Sequence, residues 1–164
     1  MQQSELWSKI CAFQLDAPGA AYTFTERLAK ENGWTLDYSL AAVEEYKKFM
    51  YLLCIATHPL TPSDEVDQVW HLHLIYTRSY WVDFCRNTLG RDIHHGPTKG
   101  GKQEKDKFTN WYQLTKELYT KEFEHRPPAD YWPPDNIRFR NINFQRINLD
   151  KNWIIKKRFT FKKK

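Results

Sequence analysis

From Ser4 to His125 the apolar residues of this chain return every three or four positions, and prolines or glycines punctuate the stretches. Such spacing gathers side chains on one face of a helix, whereas strand residues would alternate. Five helices are predicted. Ser4 to Gln14 carries Leu6, Trp7, Ile10 and Phe13, with Ser4 as its N-cap, and Asp16-Ala17-Pro18-Gly19 stops it. Tyr22, Phe24, Leu28 and Ala29 form the apolar side of a short second helix ending at Asn32-Gly33. The third runs from about Asp37 to Thr57, with Leu40, Val43, Tyr46, Phe49, Met50, Leu53 and Cys54 in one stripe, and Pro59 terminates it. The fourth opens on Thr61-Pro62-Ser63-Asp64, a threonine N-cap followed by proline at the first helical position. It is expected to continue unbroken from Pro62 to about Leu89, with Gly90 as its stop. After a Gly-, Pro- and His-rich loop, Gly90 to Gly101, the fifth spans about Glu104 to His125 and ends at Pro127-Pro128.

The fold class that follows is mainly α: about five helices packed as an irregular orthogonal bundle. Ala129 to Asp135 is expected to lie on that body as an extended Pro/Trp arm. Beyond it, Ile137-x-Phe139, Ile142-x-Phe144 and Ile147-x-Leu149 recur every five residues. Three units with bulky neighbours are too few to stack on themselves, so a short irregular or β-like extension is expected. The chain thus divides into a helical domain, 1–135, and a basic, aromatic C-terminal extension, 136–164.

A length of 164 residues suits one domain with a core, and 16% aromatic content makes that core ring-rich. The longest apolar run, Phe49 to Thr57, is far short of the ~20 residues of a membrane span. The first residues show neither a basic nor an apolar leader region, and Cys11, Cys54 and Cys85 show no pairing pattern. A cytoplasmic protein with free thiols is the expectation, with Cys11 and Cys54 as small core residues. The net charge of +5 is concentrated in Lys151, Lys156, Lys157, Arg158 and Lys162 to Lys164. Interleaved with Trp153, Ile154, Ile155, Phe159 and Phe161, these suit an anionic membrane surface and, less well, nucleic acid. Trp132 in the arm, with Trp153, Lys156, Lys157 and Arg158 in the tail, are the candidate partner-binding residues.

The chemistry is gathered between Thr61 and Pro97, which holds Asp67, His71, His73, Cys85, His94 and His95. Imidazole, thiolate and carboxylate are the usual ligands of zinc and similar divalent transition metals. Asp67 and His71 are one helical turn apart and share a face, whereas His71 and His73 point about 200° from each other. Two sites are therefore open. Asp67, His71 and one of His94 or His95 would make a solvent-accessible site; His73, a loop histidine and Cys85 would make a structural one inside the core. Alternatively, His73 is a hydrogen-bonded core residue, His71 pairs with Asp67, and the loop imidazoles pin the loop. His58 and His125 fall at helix C-termini, where positive charge is favourable.

Val66-Asp67-x-x-Trp70-His71-x-His73-Leu74, then Thr77, Tyr80, Phe84-Cys85, Gly90 and Ile93-His94-His95-x-Pro97, resembles the signature of the glycine-rich domain-containing protein family. The similarity runs from about Leu6 to Trp132-Pro133, and the chain resembles the family's short bacterial-type members. It implies a helical domain without a defined reaction. The RNA association of some plant relatives does not carry over, since this chain has six glycines and no RNP-type motif. Short relatives that continue into membrane spans would make the Lys-rich end a juxtamembrane stretch.

Three functions follow as expectations: attachment to an anionic membrane surface or to nucleic acid through the basic tail, and two that rest on the histidine cluster. One is a non-enzymatic module with a metal-supported or hydrogen-bonded His-rich scaffold and an aromatic surface for a protein partner. The other is a metal-dependent, hydrolase-like enzyme with Asp67, His71 and His94 as ligands and Glu65 or Asp64 as base.

Overall fold

The computed structural model describes residues 3–96, 101–140, 147–148 and 150–155. Every regular element among them is helical: α1 (Gln3–Ala12), α2 (Phe24–Asn32), α3 (Leu36–Ile55), α4 (Asp64–Ile75), a π-helix (Ser79–Leu89), α5 (Lys102–Phe123) and α6 (Asp135–Arg138). The mainly α class holds. Helix α3 is the centre, with α1, α2, α4 and α5 packed on it. Its buried stripe of Ala42, Val43, Tyr46, Phe49, Met50 and Leu52 meets Ile10, Leu28, Val66, Trp70 and Tyr119 from those neighbours.

Local chemistry sets the ends. Thr23 and Glu26 form a reciprocal capping box at the start of α2, and Gly33 closes it in the left-handed conformation at φ 66°. Helix α1 begins at Gln3, so Ser4 lies within it rather than at its cap. Helix α4 starts two residues later than expected, because Ser63 and not Thr61 caps it, accepting from Val66 N at 3.1 Å. Thr61 instead exchanges backbone bonds with the Thr115 hydroxyl of α5, at 3.1 and 2.9 Å.

The expected unbroken helix from Pro62 to Leu89 is two elements. The backbone leaves the helix at Tyr76 (φ −80°, ψ 64°) and resumes as a π-helix that ends on Gly90, φ 72°. Tertiary bonds account for the break. Trp70 and Tyr80 would be about 15 Å apart along a straight helix. Here the Trp70 indole N–H donates to the Tyr80 hydroxyl at 2.8 Å. π-Helical geometry is rare, and where it occurs as short bulges it is frequent at functional sites.

The Pro/Trp segment is a turn rather than an extended arm, and α6 continues the packed body past residue 135. Trp132, expected to face a partner, is a core residue. Its indole N–H donates to Glu45 Oε2 at 2.8 Å, while Lys48 Nζ and the Tyr119 hydroxyl donate to Glu45 Oε1 at 2.8 and 3.2 Å. That carboxylate is buried with its donors around it, as a buried charge must be. Cys11 and Cys54 are not core residues: Cys11 is exposed and Cys54 half-buried, whereas Cys85 is buried. No helix among the described residues is long and apolar enough to cross a membrane. Trp153, Ile154 and Ile155 are exposed. Lys156, Lys157 and Arg158, like much of the five-residue pattern, lie outside the described residues.

Candidate metal centre

Helix α4 presents two histidine environments on two faces. On the core face His73 is 1% exposed, and both of its ring nitrogens have partners. Nδ1 lies 2.8 Å from the Tyr46 hydroxyl and Nε2 lies 3.1 Å from Ser79 Oγ. The rings of Phe13, Phe24, Tyr46, Tyr80 and Phe84 surround it. Burial among them drives its pKa down to about 3, so the imidazole is neutral at physiological pH. The core site joining His73, a loop histidine and Cys85 is not formed: both nitrogens of His73 are engaged. Cys85 sits beside Tyr80 and the Ile93 backbone, its thiol pushed up by burial.

The second face is assembled in steps. Beyond the helix break, the Tyr80 hydroxyl accepts from Trp70 and donates to the Ile93 carbonyl at 2.6 Å. Ile93 itself is buried. This relay anchors the loop immediately before its two histidines. Their side chains then part. His94 is exposed with its ring 5.3 Å from that of Trp81. His95 turns inward, its ring 4.3 Å from the buried Trp70 indole and 4.6 Å from the ring of His71.

His95 Nε2 lies 2.7 Å from Asp67 Oδ1, and His71 Nε2 lies 3.9 Å from Asp67 Oδ2. Asp67, His71 and His95 each offer one donor atom, all within 4.8 Å of one another. Among the described residues these are the three His, Cys or acidic side chains that close on a common point. Tetrahedral zinc with bonds of about 2.0–2.2 Å separates its ligands by roughly 3.4 Å, a value between these two spacings. Small rotamer adjustments of Asp67 and His71 would bring both to that value. Without an ion, the same groups make an imidazole–carboxylate bond that clips the loop to α4.

The arrangement is graded in exposure. The side chains of Asp67 and His95 are 17% and 18% exposed, while that of His71 is 50% exposed. Of the acids expected to serve as bases, Glu65 points away, as a residue two before Asp67 on a helix must. Its carboxyl is raised by burial and shares its surroundings with Tyr38, Tyr112 and Arg138. Asp64 lies one turn before Asp67 and pairs with Arg138 at 3.8 Å.

Trp70, Tyr80 and Ile93 position the centre, although residue types alone marked none of them as more than core. The one sequence hint was an indole and a phenol, each carrying a polar group, among residues destined for burial.

Residues 22–129 match the family model UCP032817-like, which covers two thirds of the chain and includes every residue of the centre. No curated protein and no solved structure matches the chain. The match replaces the resemblance to glycine-rich domain-containing proteins, for which these comparisons give no support. The residues that suggested it include those that hold the helix break and anchor the loop, namely Trp70, Tyr80, Gly90 and Ile93. The chain belongs to the UCP032817-like family.

Proposed function

We propose that this domain is a non-enzymatic helical interaction module in which Asp67, His71 and His95 hold one divalent transition metal ion, zinc foremost. One observation carries the reading: a loop histidine is brought over 28 residues of sequence to within 2.7 Å of a helix carboxylate, beside a second imidazole. Two neutral imidazoles and one carboxylate are a donor set that borderline cations prefer. The ion's work is mechanical. It ties the loop after the π-helix to α4 and so fixes the exposed surface around His71 and His94, where a protein partner would dock. Trp153, Ile154 and Ile155 are exposed on the C-terminal extension and are separate apolar candidates for a protein contact.

Elemental analysis of the purified full chain tests this. One equivalent of metal is expected, lost in Asp67→Asn, which keeps the shape of the side chain and removes its charge. Free Zn²⁺ at a hundred times its Kd should stabilise the wild type by about 2.7 kcal/mol and leave that variant unmoved. Metal-free protein whose unfolding neither zinc nor a chelator shifts overturns the proposal.

A further inference from the structure

We infer that the metal held by Asp67, His71 and His95 keeps one coordination position open, and that this position takes a carboxylate borne on an apolar body. The inference rests on the metal reading of the cluster and concerns what completes it. Structural zinc sites are closed by four protein ligands, whereas sites with three keep a place for an exchangeable one.

Among the described residues no fourth His, Cys, Asp or Glu joins this group. The residues outside the described ones are Met1-Gln2, Pro97 to Gly100, Asn141 to Arg146, Leu149 and Lys156 to Lys164, and none of them is His, Cys, Asp or Glu. Among the described residues the other candidates lie outside the converging group, and several have partners of their own. Both nitrogens of His73 are bonded in the core. Cys85 is buried beside Tyr80. Asp64 pairs with Arg138 at 3.8 Å and Asp92 with Arg86 at 3.3 Å. His94 lies against Trp81 and outside the converging group.

Charge and surroundings define what enters. A divalent ion with two neutral imidazoles and one carboxylate keeps a net charge of +1, so an anion is favoured over water or an amine. The open side is the exposed side, that of His71. One helical turn beyond His71 stands Ile75, 60% exposed, with half-buried Leu74 next to it. The Trp70 indole, at 4.3 Å from the His95 ring, walls the inner side, and its N–H is already given to Tyr80. An incoming group meets positive charge at the ion and apolar surface around it. A carboxylate on an aliphatic or aromatic body matches both, whether a small organic acid or an acidic side chain of a partner flanked by apolar residues.

Cobalt makes the site visible, because Co²⁺ in a low-coordinate nitrogen and oxygen environment absorbs in a way that responds to each exchanged ligand. The full chain is loaded with Co²⁺ and titrated with acetate, benzoate, neutral benzyl alcohol, and a capped tripeptide of leucine, aspartate and leucine. The expected result is a saturable shift of the visible band with the carboxylates and none with the alcohol. Benzoate should bind about fivefold or more tighter than acetate, as partial burial of its ring predicts. That preference should shrink in Ile75→Ser, which leaves all three ligands in place. Tighter saturation by the peptide than by benzoate assigns the place to a protein partner, and the reverse to a free acid. A Co²⁺ spectrum indifferent to every carboxylate overturns the open position while leaving the metal reading standing. Failure of Co²⁺ to bind, or equal binding by Asp67→Asn, removes both.

Discussion

His71 and His73 are two residues apart on one helix and differ in almost every physical respect. His73 is sealed in aromatic rings with both nitrogens bonded, and burial holds it neutral down to about pH 3. His71 is half in water, 3.9 Å from a carboxylate, beside a second imidazole. The difference comes from the helix, whose pitch sends neighbours two apart to nearly opposite sides. It teaches that a His-x-His pair on a straight helix is two sites. One of them belongs to the core and the other to the surface.

The sharpest way to break that contrast is to remove each ring in turn. His73→Ala is expected to cost about 3 kcal/mol, since it opens a cavity among packed rings and strands the Tyr46 hydroxyl without its partner. Urea unfolding at pH 7 measures it. A loss under 1 kcal/mol would mean that the core tolerates an emptied imidazole place, and that His73 is not the anchor its contacts suggest.

The next effect is smaller and depends on pH. His73 has a folded pKa near 3, below the 6.5 of an exposed histidine, so the unfolded chain binds a proton that the folded one refuses. Above pH 6.5 neither state is protonated and nothing is lost. As pH falls from 6.5 toward 3, stability should fall by about 1.4 kcal/mol per pH unit from this residue alone, or roughly 2 kcal/mol by pH 5. Below about pH 3 the dependence ends. Unfolding curves for the wild type and His73→Gln at pH 7 and pH 5 separate this slope from that of the carboxylates. Parallel slopes in the two proteins would contradict the burial of His73.

Much of this was legible in the residues, and the rest was hidden for identifiable reasons. The helical stripes of α3 and α5 and the stops at Asn32-Gly33 and Gly90 follow from periodicity and from the left-handed conformation that glycine accepts. That a loop histidine lies over Asp67 and His71 was one of two geometries the spacing allowed; which histidine it is depends on the Tyr80–Ile93 bond. The break at Tyr76 carries no proline or glycine, and an α-helix and a π-helix are built from the same residue types. Only tertiary bonds, Trp70 to Tyr80 and His73 to Ser79, select the break. Trp132 looked like a surface aromatic because its neighbours are prolines. Its partner, Glu45, was the available signal: a carboxylate beside the stripe residues Val43 and Tyr46 needs donors, and a distant indole supplies one.

The smallest effect completes the comparison. In metal-free protein, His71→Ala should change stability by less than about 0.5 kcal/mol. The side chain is half exposed, its carboxylate neighbour stands at 3.9 Å, and alanine is the better helix former. Asp67 does not depend on it, because His95 holds that carboxylate at 2.7 Å. The substitution thus separates the two roles the cluster can have. Chelator-treated wild type and His71→Ala should unfold together, and only the wild type should gain when zinc is restored. If His71→Ala is instead strongly destabilising without metal, the imidazole is structural like His73, and the division of α4 into a core face and a binding face fails at the residue that defines it.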